Sequence, residues 1–454
     1  MNMQRAPASP YPQPKAASVG DKLSLAKAVL LFLLPFASLV QVQVVGTLYG
    51  LDILLGLTLL VTLANRNSPK ALGQMKWVLT MLAVWFLGAI LSDWWVAAPF
   101  QDWSRGMAKL LFFAIALMAI WLLTGGRARE LSIMMGGFGL ATIVGVWVSP
   151  SEFAEQDPWK FGIGGGLMYL TVFATTIPSF RRVAGIYGPP AAVAGVGLLS
   201  LIQNSRSLAV IAIMAAAYSI FAIWISRKPA MAKIVTPISF TLMLIIGIFA
   251  VQILSAGYGA LAESGVLGRA AAAKYEMQTA GGDVSLILGG RSETLVSIEA
   301  IKDSPILGHG SWAKDPYYTL LYFDKLNELG IKTISFNYFG NESYLIPSHS
   351  HLFGAWVEHG VLGALFWVLI LLLTFRALYS ILKANVVPSA MVAVSAFLVL
   401  WDVLFSPFGG AFRFDKALQI CILLAAVQSL GGLRGLAGQV RARRRPRFGV
   451  RQEA

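Results

Sequence analysis

The sequence predicts an all-α polytopic membrane protein of about twelve spans, each of roughly 20 residues, with one long, partly helical loop on the outer side. Three observations predict it. Apolar residues make up 57% of the 454-residue chain and charged residues only 13%, far from the composition of a soluble domain. Apolar stretches of about 20 residues, the length needed to cross about 30 Å of hydrocarbon, recur through most of the chain. Basic residues are dense in alternate loops, as expected when every second loop faces the cytoplasm.

Taken in order, residues 1–27 begin with a Pro-, Ala- and Gln-rich stretch that reads as a disordered cytoplasmic tail. The apolar run after it lies behind that tail without a small-residue cleavage pattern, so it reads as a retained first span. Spans at 28–45, 48–64, 77–96, 107–124, 131–149, 161–180, 186–203, 208–226 and 235–254 fill the segment 28–254. A loop occupies 255–348. Spans at 350–375, 386–406 and 412–430 fill 349–430, and a basic cytoplasmic tail closes the chain over 431–454. The single cysteine, Cys421, lies in a late apolar stretch, so no intrachain disulfide can form.

Charge gives the orientation. The segments assigned to the inner face hold 23 of the 36 Lys and Arg but only three acids, Asp21, Glu130 and Glu453. The inner face is therefore +20 and the outer face −6, within a total of +14. This split places both termini in the cytoplasm. It also accounts for the basic balance without nucleic acid; the run from Arg441 to Arg447 suits anionic lipid headgroups.

The 94-residue loop 255–348 is too long to be a plain connection. Leu295, Ile298 and Ile301 fall on one helical face, with Glu293, Glu299 and Lys302 elsewhere. Ser304-Pro305 stops that helix, and Gly308 and Gly310 form a flexible turn. The loop reads as a helical cap over the membrane domain.

Three groups of residues carry chemistry. Arg206 stands in Gln203-Asn-Ser-Arg-Ser207 at the outer end of a hairpin, where an arginine either faces a cavity or snorkels to the interface. The donors and acceptors of Asn204, Ser205 and Ser207 around it favour the first. Arg291 follows two glycines, which let backbone approach a ligand, and its guanidinium fork matches diphosphate oxygens. For an isolated Gly-Gly-Arg, an exposed loop arginine is the simpler reading. Finally, three of the four histidines stand in Pro347-Ser-His-Ser-His-Leu-Phe-Gly-Ala-Trp-Val-Glu-His-Gly-Val-Leu-Gly363, where the loop re-enters the membrane. His349, His351 and His359 with Glu358 lack metal-ligand spacing, and no metal is expected. A histidine at such an entrance suits a proton acceptor or hydrogen-bond orienter. The structural alternative is a polar helix start followed by small residues that let helices approach.

Together these elements resemble the O-antigen ligase and O-antigen polymerase family. Its His motif is a His followed by Asn, Ser or Gln, nine residues, Gly, two residues and Gly; here His349, Ser350, Gly360 and Gly363 match it. Gly290-Arg291 leading to Pro305-Ile-Leu-Gly308-His-Gly310 resembles the family's GR segment and P-x-x-G-x-G turn, and Ser205-Arg206-Ser207 its SR element. The family resembles the large multi-span glycosyltransferases. The resemblance implies transfer of a glycan from an undecaprenyl diphosphate carrier to an acceptor sugar hydroxyl, outside the bacterial cytoplasmic membrane, without metal or other cofactor. The acceptor would be lipid A core or a second lipid-linked glycan. Arg206 and Arg291 would bind the diphosphate and His349 would orient or deprotonate the acceptor; Arg413, Asp402 and Ser350 are supporting candidates. Glu358, about 13 Å along a helix from His349 at 1.5 Å per residue, reads as structural. A transporter or flippase of the same lipid, or a non-catalytic export partner, are the competing classes. The first would show internal repeats and broken helices near the midplane; the second leaves the His and Arg set without a use.

Overall fold

In a computed structural model, the structure describes residues 23–44, 46–243, 257, 264, 293–328, 344–383, 388–410 and 412–444, with side chains in the last helix described to 429. Helix α1 (Leu25–Leu33) continues as a 3-10 turn (Leu34–Leu39) into a two-stranded antiparallel hairpin, β1 (Gln41–Gln43) and β2 (Thr47–Tyr49). Then follow α2 (Gly50–Leu63), α3 (Lys76–Trp95), α4 (Phe100–Thr124), α5 (Ala128–Val148), α6 (Gly164–Thr176), α7 (Gly188–Ile202) and α8 (Arg206–Ser226). The loop contributes α9 (Glu293–Asp303) and α10 (Pro316–Glu328), and the chain ends with α11 (His351–Lys383), α12 (Ser389–Phe405) and α13 (Phe412–Arg444).

Five of these, α3, α4, α5, α8 and α11, are long and apolar enough to cross a membrane among the described residues. The pair Trp159–Thr176 and Pro178–Ala184 makes a sixth if it is one span; it bends by 85° next to Pro178, whose missing N–H cannot continue the ladder. Leu25–Leu39, α2, α7 and α12 are apolar but shorter. Predicted spans 48–64, 77–96, 107–124, 131–149, 186–203, 208–226, 350–375, 386–406 and 412–430 overlap helices; 28–45 is helical only to Leu39 and ends in strand β1, 161–180 is broken before Pro178, and most of 235–254 lies outside the described residues.

The C-terminal helices form the centre. Helix α11 packs on α3, α12 and α13; α12 carries α8, and α13 lies on α4. Loop ends assigned to one side of the membrane do meet each other. At one end Gln41 Nε2 bonds Ser149 Oγ at 3.2 Å, Arg413 pairs with Asp52, and Ser92 Oγ donates to Glu358 O at 2.8 Å. At the other end Lys27 reaches Glu130 at 3.4 Å, and Gln428 Nε2 donates to Gln74 O at 3.1 Å.

The described part of the loop is a small folded cap. Val296, Ala300, Ala313, Tyr318, Ile346 and Val357 form its own apolar cluster. Burial and the adjoining Asp303 carboxylate hold the Tyr318 phenol above its ordinary range. The buried face of α9 is Val296, Ser297 and Ala300 rather than the predicted Leu295, Ile298 and Ile301; Ile298 is 37% exposed and Ile301 only flanks the cluster. Small side chains win that face because α9 seats closely on α11 and on Pro347, whose carbonyl accepts from Ser297 Oγ at 2.8 Å.

The turn after α9 is also not flexible. It docks into a break in α11, where His359 and Gly360 leave helical geometry. His309 N and Gly310 N donate to Val357 O and Glu358 O at 2.8 and 2.9 Å, and Val361 N donates to Pro305 O at 3.1 Å. The helix carbonyls freed by the break thus find donors in the turn. Both motifs supply glycine where backbone meets backbone. Gly308 has φ +78° and a Cβ there would lie 2.6 Å from Gly360 N; Gly360 has φ +63° and its Cβ would lie 1.9 Å from Ile306 O.

Gly308→Ala is therefore expected to cost about 2–5 kcal/mol, from left-handed strain and overpacking together. Gly165→Ala, where a Cβ meets nothing within 4 Å, serves as the control. Thermal unfolding in detergent measures both, and an unchanged midpoint for Gly308→Ala would contradict the docking.

Candidate functional site

The segment before α11 carries the first candidate. Ile346 N donates to Ala313 O at 2.9 Å and Pro347 O is held by Ser297, so the strand-like stretch 344–350 is laid across the cap. His349 is half-buried and precedes the helix, which begins only at His351. Ser350 is 1% exposed: its Oγ donates to Val403 O at 2.7 Å and accepts from Phe353 N at 3.0 Å. It caps α11 and ties it to the end of α12. His351 is fully buried. Its Nδ1–H donates to Ser406 O at 2.5 Å while its ring meets Trp367 and Phe408 edge-on.

Asp402 joins this group from α12. Ser406 Oγ donates to Asp402 Oδ1 at 2.8 Å, and Lys416 Nζ pairs with Oδ2. Lys416 also reaches Gln419 Oε1, whose amide donates to Tyr169 OH. Asp402 is thus a fixed counter-ion in a buried chain from α11 to α6. Arg413 is 4% exposed and paired through Nε and Nη2 with Asp52, beneath the rings of Tyr49 and Phe414.

His359 is the third histidine and is locked in place. Trp85 Nε1–H donates to its Nδ1 at 2.9 Å, so the ring proton sits on Nε2, which faces Ser311 Oγ at 3.0 Å. Ser311 in turn donates from Oγ to Asp93 Oδ2 at 2.9 Å and from N to Oδ1 at 2.6 Å. His309, the fourth, bonds Ala300 O at 2.8 Å within the cap. Glu358 pairs with Lys109 at 2.6 Å and accepts from Trp312 N at 3.3 Å. Among the described residues no three His, Cys, Asp or Glu gather as metal ligands.

Arg206 opens α8 directly after Asn204, at φ +56°, and the buried Ser205. Leu208, in the first turn of α8, lies against the start of α6, where a Cβ on Gly164 would come 2.8 Å from Leu208 Cδ2. That turn is therefore at the end of the bundle where Ser149 meets Gln41 of the β1–β2 hairpin. A cation at a helix N-terminus works against the macrodipole, so Arg206 adds to a positive end that suits an anion. Arg291 lies outside the described residues.

The O-antigen ligase family (Wzy_C) matches residues 191–368. That segment belongs to the O-antigen ligase family. It runs from α7 to the first half of α11, and so takes in Arg206, Arg291, the docked turn and the whole stretch from His349 to Gly363. No curated protein matches the chain, and no solved structure does. The match points to glycan-transfer chemistry, and the apolar helices agree with a multi-pass membrane protein.

Several residues around this O-antigen ligase segment were not singled out by sequence. Asp93, Lys109 and Trp312 all hold the docked turn and the break in α11. Lys109, in the apolar run of α4, carried the signal: an ionisable residue within a span marks an interior partner.

His359→Ala removes a ring that satisfies both Trp85 and Ser311. It is expected to lower stability by about 3–5 kcal/mol through cavity and lost hydrogen bonds. Thermal unfolding of the detergent-purified variant measures this, and wild-type stability would remove the ring from the framework.

Proposed function

We propose that the chain transfers a glycan from undecaprenyl diphosphate to a sugar hydroxyl at the periplasmic face of the inner membrane, crossing it about twelve times. The observation that carries this reading is the family segment 191–368, which holds Arg206, Arg291 and the His349–Gly363 motif together. Arg206 and Arg291 bind the carrier diphosphate. Their guanidinium forks stabilise the charge that develops as the bond from sugar to diphosphate breaks, which is most effective in a water-poor site. His349 orients the acceptor hydroxyl and takes its proton as the oxygen attacks the anomeric carbon from the opposite side. The anomeric centre inverts, and the carrier diphosphate leaves with the bond's electron pair. The acceptor is lipid A core for a ligase or a second carrier-linked glycan for a polymerase.

Three supports stand beside the family match. Half-buried His349 precedes α11 rather than standing inside it. Arg206 stands at a helix N-terminus at the same end of the bundle. The charge split of the loops assigns that end to the outer side.

In proteoliposomes with a radiolabelled lipid-linked glycan, His349→Ala is expected to lower transfer at least about 100-fold while donor binding persists. His351→Ala and His359→Ala lose less per folded molecule. Full activity of His349→Ala, or loss of transfer to a chelator with restoration by one divalent ion, would defeat the mechanism.

Orientation has its own measurement. In a Cys421→Ala background, cysteine at exposed Tyr317 is expected to react with a membrane-impermeant maleimide in intact spheroplasts. Cysteine at exposed Asn65 should react only after permeabilisation. The reverse pattern would place the site on the cytoplasmic side.

A further inference from the structure

An open groove of about 430 Å³ lies between α1, α5 and α6. Ala28, Val29, Phe32, Leu33, Ile133 and Phe173 line it, and all six are apolar. The glycines of α5 shape it. A Cβ on Gly137 would lie 2.1 Å from Phe32 O, and one on Gly136 would lie 2.6 Å from the Phe173 ring. Both flanking helices therefore sit close on α5, and the rings of Phe32 and Phe173 meet across it at 6.0 Å. From Ala28 to Leu33 the groove runs about 8 Å along α1, at 1.5 Å per residue.

Charge gathers at its mouth. The starts of α1 and α5 and the end of α6 come level there: Lys27 Nζ reaches Glu130 Oε2 at 3.4 Å, and Thr176 Oγ1 donates to Ser132 Oγ at 3.1 Å. Lys27 directly precedes Ala28, and Arg129 precedes Ile133 by one turn on the same face of α5. Arg129 is exposed, and its guanidinium has no hydrogen-bond or ion-pair partner among the described residues. Glu130 is the only acid in these helix ends among the described residues, and Lys27 and Arg127 share it. An apolar slot with an unpaired guanidinium and an ammonium at its mouth fits an amphiphile with a hydrocarbon chain and an anionic head.

We propose that this groove holds an acyl chain of an anionic phospholipid, with the phosphate at Arg129 and Lys27. A second copy of the chain is a poorer occupant, because packing about a two-fold axis would set two such basic mouths against each other. The site lies at the end of the bundle away from the β1–β2 hairpin, and it rests on none of the glycan-transfer reading.

Native mass spectrometry of the delipidated full chain in detergent tests it, with phosphatidylglycerol, phosphatidylcholine and undecaprenyl phosphate as probes. Wild type is expected to bind one phosphatidylglycerol at least about tenfold more tightly than phosphatidylcholine, since each Lys or Arg at a lipid headgroup contributes about fivefold. Arg129→Gln should weaken phosphatidylglycerol about fivefold and leave phosphatidylcholine unchanged. Val29→Trp fills the groove from an exposed position and should abolish the tight binding event, with the unfolding midpoint measured without lipid as the check on folding. Lys70→Gln removes an exposed cation that does not line the groove and should change nothing. Equal binding of phosphatidylglycerol and phosphatidylcholine, undiminished binding by Val29→Trp, or an equal loss in Lys70→Gln would overturn the site. Tighter binding of undecaprenyl phosphate than of phosphatidylglycerol would overturn its assignment to a phospholipid.

Discussion

The arrangement depends on one contact: the turn 305–312 seated in the broken turn of α11 at His359–Gly360. A break in a spanning helix exposes carbonyls that hydrocarbon cannot satisfy. Here the turn supplies the donors, from His309 N to Val357 O and from Gly310 N to Glu358 O. The same turn then delivers Ser311 to Asp93 and His359, and Trp312 to Glu358. Cap and membrane bundle are joined by backbone rather than by a surface patch, which explains why both partners need glycine at the point of contact. Gly363 extends the same logic, since a Cβ there would lie 2.4 Å from Ala355 O.

Around that joint the buried charges are matched between different helices. Asp52 with Arg413, Glu358 with Lys109 and Asp402 with Lys416 tie α2 to α13, α11 to α4 and α12 to α13. Pairs of this kind gain little net stability, because desolvation offsets much of the attraction, but breaking one costs about 3–5 kcal/mol. Their use here is register. Each pair admits one relative placement of two helices that would otherwise slide against apolar neighbours. The residues the sequence offered as supporting, Arg413 and Asp402, are both members of such pairs.

The apolar helices were legible because hydrocarbon imposes a length rule that a sequence displays directly. Ser350 and the glycine spacing were legible as a motif, but its reason was not: His349-Ser350-x9-Gly-x-x-Gly encodes a helix cap, a break and a seat for a turn 50 residues earlier. The buried face of α9 was misread because amphipathic patterning follows side-chain size, whereas the face chosen is the one that lets backbones approach. Ser297 and Ala300 are poor hydrophobic signals and good neighbours. Lys109 and Asp93 were missed for a related reason. Each is a single ionisable residue in an apolar run, and its partner lies more than 200 positions away.

The break divides α11 into a short arm, 351–358, and a long spanning arm. The short arm is pinned at both ends. Ser350 and His351 bond to Val403 O and Ser406 O at one end, and Glu358 is held by Lys109, Ser92 and Trp312 at the other. At 1.5 Å per residue this arm is about 12 Å long. It fixes the spacing between the segment bearing His349 and the seat of the docked turn, because one rigid element joins the two. The role proposed for His349 depends on that spacing, because a reacting group held by a loop alone would drift by more than a reaction tolerates. Seating the turn in the break therefore serves two ends at once: it satisfies the backbone of a broken helix, and it fixes the far end of the arm whose start follows His349.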